Sequence, residues 1–219
     1  MSGTGAVTIA RSVASAFAVA PRIRPFRHWL LSNVLPEPVV RSLAGLRLPG
    51  DPPGAIGGRR ETRNEWRRFI TGDSPLDAAG AAVAEAFQAR GLAAVLAARC
   101  GADLEGAYLR IEYCRDTAGF WLEPHTDIAA KRFTLIVYLN DPPSAEDWGT
   151  DLYDAAGRRV GGAPSRSNAG LAFVPATDTW HGFAPRPITG ERRSLIVNYV
   201  EPAWRSRHEL AFPARPIRL

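Results

Sequence analysis

Phe133 to Asn140 reads FTLIVYLN, and Arg192 to Tyr199 reads RRSLIVNY. Both alternate with a period of two, so successive side chains fall on opposite faces of a strand. In the first, Phe133, Leu135, Val137 and Leu139 share one face; Thr134, Ile136, Tyr138 and Asn140 share the other. In the second, Arg193, Leu195, Val197 and Tyr199 share one face; Arg192, Ser194, Ile196 and Asn198 share the other. Each strand thus has one apolar and one mixed face. Burying the mixed face in a dry core would strip its polar groups of water. Lining a wet cavity between two sheets would not. The pair predicts a small β-sandwich or barrel with an internal pocket and helices on its apolar outer face.

The remaining chain fits that layout. From Ala107 onward the alternation persists, with turn residues between strands. Before it lie helical patterns. Pro36 to Leu46 places Val39, Val40, Leu43 and Leu46 on one side. Ser74-Pro75-Leu76-Asp77 reads as a helix start, with Ser74 as cap and Pro75 at the first helical position. That helix continues to about Arg90; Gly91 interrupts, and a second runs to about Arg99. Phe26 to Leu31 reads as a short strand, and Arg47 to Arg60 as a loop. Helices first and strands later argue against alternating βαβ units. The expectation is an α+β chain, mainly β. Helical support over about residues 36–100 packs on one sheet of a β core over about 105–205, within a single domain spanning 21–219. Residues 1–20 include SVASAFAVA (Ser12 to Ala20), too short and too poor in Leu for a good signal peptide. They are expected to form a flexible arm or a first edge strand.

A chain of 219 residues can bury one good core. With 46% hydrophobic and 22% charged residues it has the composition of a globular protein. No apolar run approaches the roughly 18 residues of a membrane span, so no membrane association is expected. Its two cysteines, Cys100 and Cys114, make neither a disulfide framework nor a cysteine zinc site, and a reducing, cytoplasmic setting is expected. The net charge of +5 comes from scattered arginines. That pattern fits a solvated surface better than a nucleic-acid face.

Just ahead of FTLIVYLN stands His125-Thr126-Asp127, in a chain with only four histidines. Residues two apart on a strand project to one face, which suits joint metal ligation. H-x-D also arises by chance, so a third ligand must be found. Of His28, His181 and His208, His181 is best placed, after the apolar run Leu171 to Val174 and beside Trp180. Two imidazoles and one carboxylate on one side of a metal leave three positions open, as in non-haem Fe(II) oxygenases.

Over about Leu109 to Tyr199 the sequence resembles the 2-oxoglutarate- and Fe(II)-dependent oxygenases, in particular the compact prolyl-hydroxylase-like branch. The family pattern is H-x-D, a distant His, then an Arg or Lys about ten residues later ahead of an apolar strand. Here it reads His125-Thr126-Asp127, His181 and Gly190-Glu191-Arg192-Arg193-Ser194-Leu195. Arg192-Arg193-Ser194 matches the family's R-x-S, and Tyr138-Leu139-Asn140 matches its Tyr-Leu-Asn. The resemblance implies a double-stranded β-helix core of jelly-roll, cupin-like form. It implies Fe(II) on His125, Asp127 and His181 as the catalytic set, with O₂ at an open position. It implies 2-oxoglutarate as cosubstrate, its far carboxylate gripped by the planar guanidinium of Arg192. Ser194 and Tyr138 would add hydroxyls, and Tyr113 falls where the family often has a pocket tyrosine. The implied activity is hydroxylation of a C–H bond in an amino acid, a peptidyl side chain or another small metabolite. Succinate and CO₂ are released, with ascorbate as a reductant. Halogenating relatives lack the carboxylate that Asp127 provides, which disfavours halogenation. Two other readings stay open: a metal-dependent cupin needing no Arg192 anchor, and a non-catalytic binding domain. Trp121, Trp148 and the loop Pro142 to Gly149 are as compatible with packing as with substrate contact.

Overall fold

The chain opens with helix α1 (Ser2–Ala16), in a computed structural model that describes residues 2–47, 67–140 and 147–219. This corrects the expected arm or edge strand over residues 1–20. Ile9, Val13 and Phe17 recur four apart and all three are buried, so they form one helical stripe. Gly3, Gly5 and several β-branched residues give the segment little helix propensity of its own. Packing against the later helices holds it.

Strand β1 (His28–Ser32) follows, then helix α2 (Glu37–Ala44), which Pro36 introduces. After the short strand β2 (Arg67–Phe69) comes helix α3 (Ala78–Gln88). Its start is later than Ser74-Pro75 suggests. Leu76 has φ 70°, a left-handed conformation that no helix can include. Asp77 is the cap, its carboxylate accepting the Gly80 N–H at 2.7 Å. Helix α4 (Arg90–Cys100) begins directly after Ala89, so the break precedes Gly91 and Gly91 lies inside the helix. Among the described residues no single helix is long and apolar enough to cross a membrane. The expected loop Arg47 to Arg60 lies outside the described residues from position 48 onward.

The β region comprises β3 (Tyr108–Asp116), β4 (Leu122–His125), β5 (Lys131–Tyr138), β6 (Asp151–Tyr153), β7 (Arg159–Gly162), β8 (Ala169–Phe173), β9 (His181–Phe183) and β10 (Arg192–Val200). They form two antiparallel sheets. The large one has the order β1-β8-β5-β10-β3-β2 and the small one β4-β9-β6-β7. From β3 on, the chain passes from large to small sheet and back, pausing once in the small sheet for the β6–β7 pair.

The predicted faces are realised. Phe133, Leu135, Val137, Leu195, Val197 and Tyr199 join the helices in the main core. On the other face of β5, Ile136 and Tyr138 pack with Leu152, Leu171 and Phe173. The polar members of that inner face, including Thr134, Arg192 and Ser194, line a cavity of about 330 Å³.

Docking of α1 makes a stability prediction. Ile9→Ala should cost about 2–5 kcal/mol of unfolding free energy, the usual penalty for truncating a core aliphatic side chain. Val7, 51% exposed on the same helix, should tolerate Ala within about 0.5 kcal/mol. Urea unfolding of both variants measures the difference, and equal responses would show that α1 is not part of the core.

Candidate metal centre

The site begins with a strand pairing. β4 and β9 run antiparallel with His125 directly opposite His181. Cross-strand partners share a face and come close; here the imidazole centroids are 4.4 Å apart. Gly182 permits this approach. A Cβ at that position would lie 2.8 Å from the Leu122 carbonyl oxygen and 3.0 Å from that of Glu123.

Each imidazole is oriented by its own backbone. His125 Nδ1 lies 2.9 Å from the Glu123 carbonyl, and His181 Nδ1 lies 2.8 Å from the Thr179 carbonyl. A carbonyl can only accept, so both Nδ1 atoms carry a proton and Nε2 is the ligand atom in the neutral ring. Burial pushes the His181 imidazole down to about 4, against the pull of the Asp127 carboxylate. It is therefore neutral at physiological pH, as a metal ligand must be.

Asp127 lies just beyond β4, in the turn toward β5, rather than on the strand as the two-residue spacing suggests. Lys131 Nζ sits 2.6 Å from its Oδ1, and the Thr134 hydroxyl donates to its Oδ2 at 2.8 Å. Burial alone would raise this carboxyl. Lys131, His181 and the hydrogen bonds outweigh burial and hold it at about 2. One ligand atom from each of His125, Asp127 and His181 lies within 4.8 Å of the others. The donor set is two imidazoles and one carboxylate gathered in one place. It suits a divalent first-row metal with positions left open.

Arg192 lies in the same cavity, buried and in a largely aromatic surround. Its guanidinium carbon is 4.7 Å from the Phe183 ring centroid. Its Nε donates to the Trp148 carbonyl at 2.6 Å, and its Nη1 to the carboxylate of the fully buried Asp116. Two of the five N–H groups of an arginine are thereby used to fix the fork, and three remain. Ser194 also lines the cavity, and its buried hydroxyl has no hydrogen-bond partner among the described residues.

The other expected residues lie elsewhere. Tyr113 is turned away from the cavity: its hydroxyl donates to the Leu43 carbonyl at 2.9 Å, within the helix-side core. It shares strand parity with Leu109 and Ile111, so β3 alternation already excluded it from the pocket. Tyr138 is behind the wall. Its hydroxyl donates to Thr150 Oγ1 at 2.8 Å and accepts the Thr150 N–H at 3.0 Å, and Thr150 reaches the cavity in its place. Trp148 packs with Phe120, Phe183 and Ile188 and serves the site through its carbonyl. Of the loop Pro142 to Gly149, residues 142–146 lie outside those described. Sequence reasoning missed Asp116, Lys131 and Thr150, and the charged group Arg67, Arg110, Glu112 and Glu209 that lines the same cavity. On β3 the signal was present: Arg110, Glu112 and Asp116 alternate with Leu109, Ile111 and Tyr113.

No protein-family model matches the sequence, and no curated protein is similar to it. Solved structures are similar in fold. A Pseudomonas putida prolyl-4-hydroxylase is 17% identical at a TM-score of 0.56, over 88% of this chain and 98% of its own. A Trichoplax adhaerens prolyl hydroxylase, in complex with a hypoxia inducible factor peptide fragment, is 14% identical at 0.59, over 90% and 91%. HygX from Streptomyces hygroscopicus, with nickel and 2-oxoglutarate bound, is 18% identical at 0.51, over 80% and 82%. The chain shares their fold.

Removing a ligand should cost more metal affinity than the roughly 10–100-fold lost with an outer hydrogen-bond partner. His125→Ala, Asp127→Ala and His181→Ala are each expected to exceed that loss for Co(II) in calorimetric titration. His28 lies outside the triad, its Nδ1 2.8 Å from the Phe26 carbonyl, and His28→Ala should bind Co(II) as the native protein does. An unaffected His181→Ala would remove that residue from the centre.

Proposed function

We propose that this chain is a 2-oxoglutarate-dependent Fe(II) dioxygenase of the compact prolyl-hydroxylase-like branch. Its reaction is hydroxylation of a C–H bond in an amino acid, a peptidyl side chain or another small metabolite. The observation that carries the reading is the pairing, in one cavity, of the His125–Asp127–His181 donors with the buried Arg192 and with the Ser194 hydroxyl, which has no partner among the described residues. A buried hydroxyl without a partner is costly unless a ligand completes it. Ser194 follows Arg192 by two residues on one strand face, so both reach the same ligand end. The passage of β3 to β10 between the sheets supports a double-stranded β-helix as the core.

Bound Fe(II) would supply the activation of O₂ that couples oxidation of substrate to conversion of 2-oxoglutarate into succinate and CO₂, with ascorbate as a reductant. The protein's own groups do the rest. Both histidines offer Nε2, and Asp127 offsets one positive charge of the metal. Arg192 takes the far carboxylate of 2-oxoglutarate through its remaining N–H groups, with Ser194 as an added donor. Phe120 and Phe183 exclude water from that end. The fold match to HygX, whose structure holds nickel and 2-oxoglutarate, supports the cosubstrate. The match to a prolyl hydroxylase holding a peptide supports a substrate of that kind.

The direct assay is succinate formation from 2-oxoglutarate with and without Fe(II), across a panel of amino acids, peptides and small metabolites. Iron-dependent succinate is expected. Its absence under every condition would favour a metal cupin that uses another substrate.

Two adjacent arginines give a sharper prediction. Arg193 faces outward, donating to Glu191 and to the Ala44 carbonyl at the end of α2. Arg193→Ala should leave 2-oxoglutarate affinity within about threefold, consistent with the small cost of most surface changes. Arg192→Lys keeps a charge beside Asp116 but loses the planar fork. It should weaken binding by about 1.5–3 kcal/mol, roughly ten- to a hundredfold. Anaerobic titration with Mn(II) present measures both. A harmful Arg193→Ala beside a silent Arg192→Lys would reverse the assignment.

A further inference from the structure

We infer that Thr134 and Asn198 are positioning residues of the metal centre, aligned by Arg110 so that the Thr134 hydroxyl proton is always aimed at Asp127. The inference rests on the metal-centre reading above. Three neighbouring strands place these residues in one row: Asn198 on β10 is directly opposite Arg110 on β3 and Thr134 on β5. All three are buried on the inner face of the large sheet.

The row has one possible direction. A guanidinium can only donate, so the Asn198 atom 3.3 Å from Arg110 Nη1 must be its oxygen. The Asn198 amide nitrogen is thereby turned toward Thr134, where it donates to Oγ1 at 2.9 Å; it also faces the Phe133 carbonyl at 3.4 Å. With Oγ1 accepting from Asn198, the single Thr134 proton goes to Asp127 Oδ2, 2.8 Å away. Arg110 is itself held by Glu112 and Glu209, and its guanidinium carbon lies 4.9 Å from the Phe69 ring centroid. The origin of the row is thus fixed before any metal enters.

The consequence falls on the carboxylate. Thr134 holds one oxygen of Asp127 and Lys131 the other, so the plane of the group is set. A carboxylate held at both oxygens resists rotating into two-oxygen ligation, which would consume one of the open metal positions. Hydrogen bonds in such a row also strengthen one another in a buried setting.

Co(II) titration followed by visible absorption tests this without turnover. Thr134→Val keeps the shape and removes the hydroxyl; it should weaken Co(II) binding by about tenfold, the low end for loss of an outer partner, and alter the Co(II) bands. Thr134→Ser restores the hydroxyl and should return both to within about threefold of native. Asn198→Ala releases the hydroxyl to turn away and should weaken binding less than Thr134→Val does. Combined, the two changes should be no worse than Thr134→Val alone, because they break one row. If Thr134→Val does not fold, Asn198→Ala against Thr134→Ser carries the comparison. Native-like binding and bands in Thr134→Val, equal losses in the Val and Ser variants, or fully additive losses in the double variant would overturn the inference. Failure of the native protein to bind Co(II) would instead overturn the metal-centre reading beneath it.

Discussion

His125 and His181 meet across two short antiparallel strands, and they do so because residue 182 has no side chain to hold the strands apart. From that contact the rest of the site can be derived. Fixing both Nδ1 protons on backbone carbonyls leaves Nε2 of each ring as the atom that can meet a metal. The turn after β4 then has only to bring one anion alongside them, and Asp127 does so two residues on. The two histidines sit on paired strands, and Asp127, in the turn, is held by Lys131 and Thr134. The geometry of the two histidines comes from a strand register.

The large sheet meets two opposed demands at once. Its outer face must be dry to hold α1, α3 and α4. Its inner face carries the polar and charged groups of the candidate site. Strand alternation separates the two within single elements, so Leu195 and Ser194 are neighbours in sequence and strangers in environment. Buried charge on the inner face is tolerated because it is paired: Arg192 with Asp116, and Arg110 with Glu112 and Glu209. Unpaired, each such charge would cost several kcal/mol.

How much of this is legible in the sequence depends on the range of the interaction. Parity within β5 and β10 is local, and it sorts Arg192 from Arg193 without any structure. The same parity on β3 would have placed Tyr113 with Leu109 and Ile111 in the helix-side core, but motif matching put it in the pocket. Tyr138 has inward parity, yet whether it reaches the cavity depends on Thr150, which comes from a different part of the chain. The row from Arg110 through Asn198 to Thr134 depends on which strands are neighbours, and no local pattern states that. Helix α1 was missed for another reason. An Ala-rich segment with glycines and β-branched residues is nearly neutral in propensity, and only the partners that cover Ile9, Val13 and Phe17 decide its state.

The proposed function requires one cavity to hold a metal at one end and the far carboxylate of 2-oxoglutarate at the other. Anomalous diffraction from crystals grown without oxygen, with Mn(II) and 2-oxoglutarate, tests it most directly. A single strong anomalous peak bounded by His125, Asp127 and His181 is expected, with the distal carboxylate against Arg192 and Ser194. A metal bound elsewhere, or a filled triad with an empty Arg192 pocket, would contradict it.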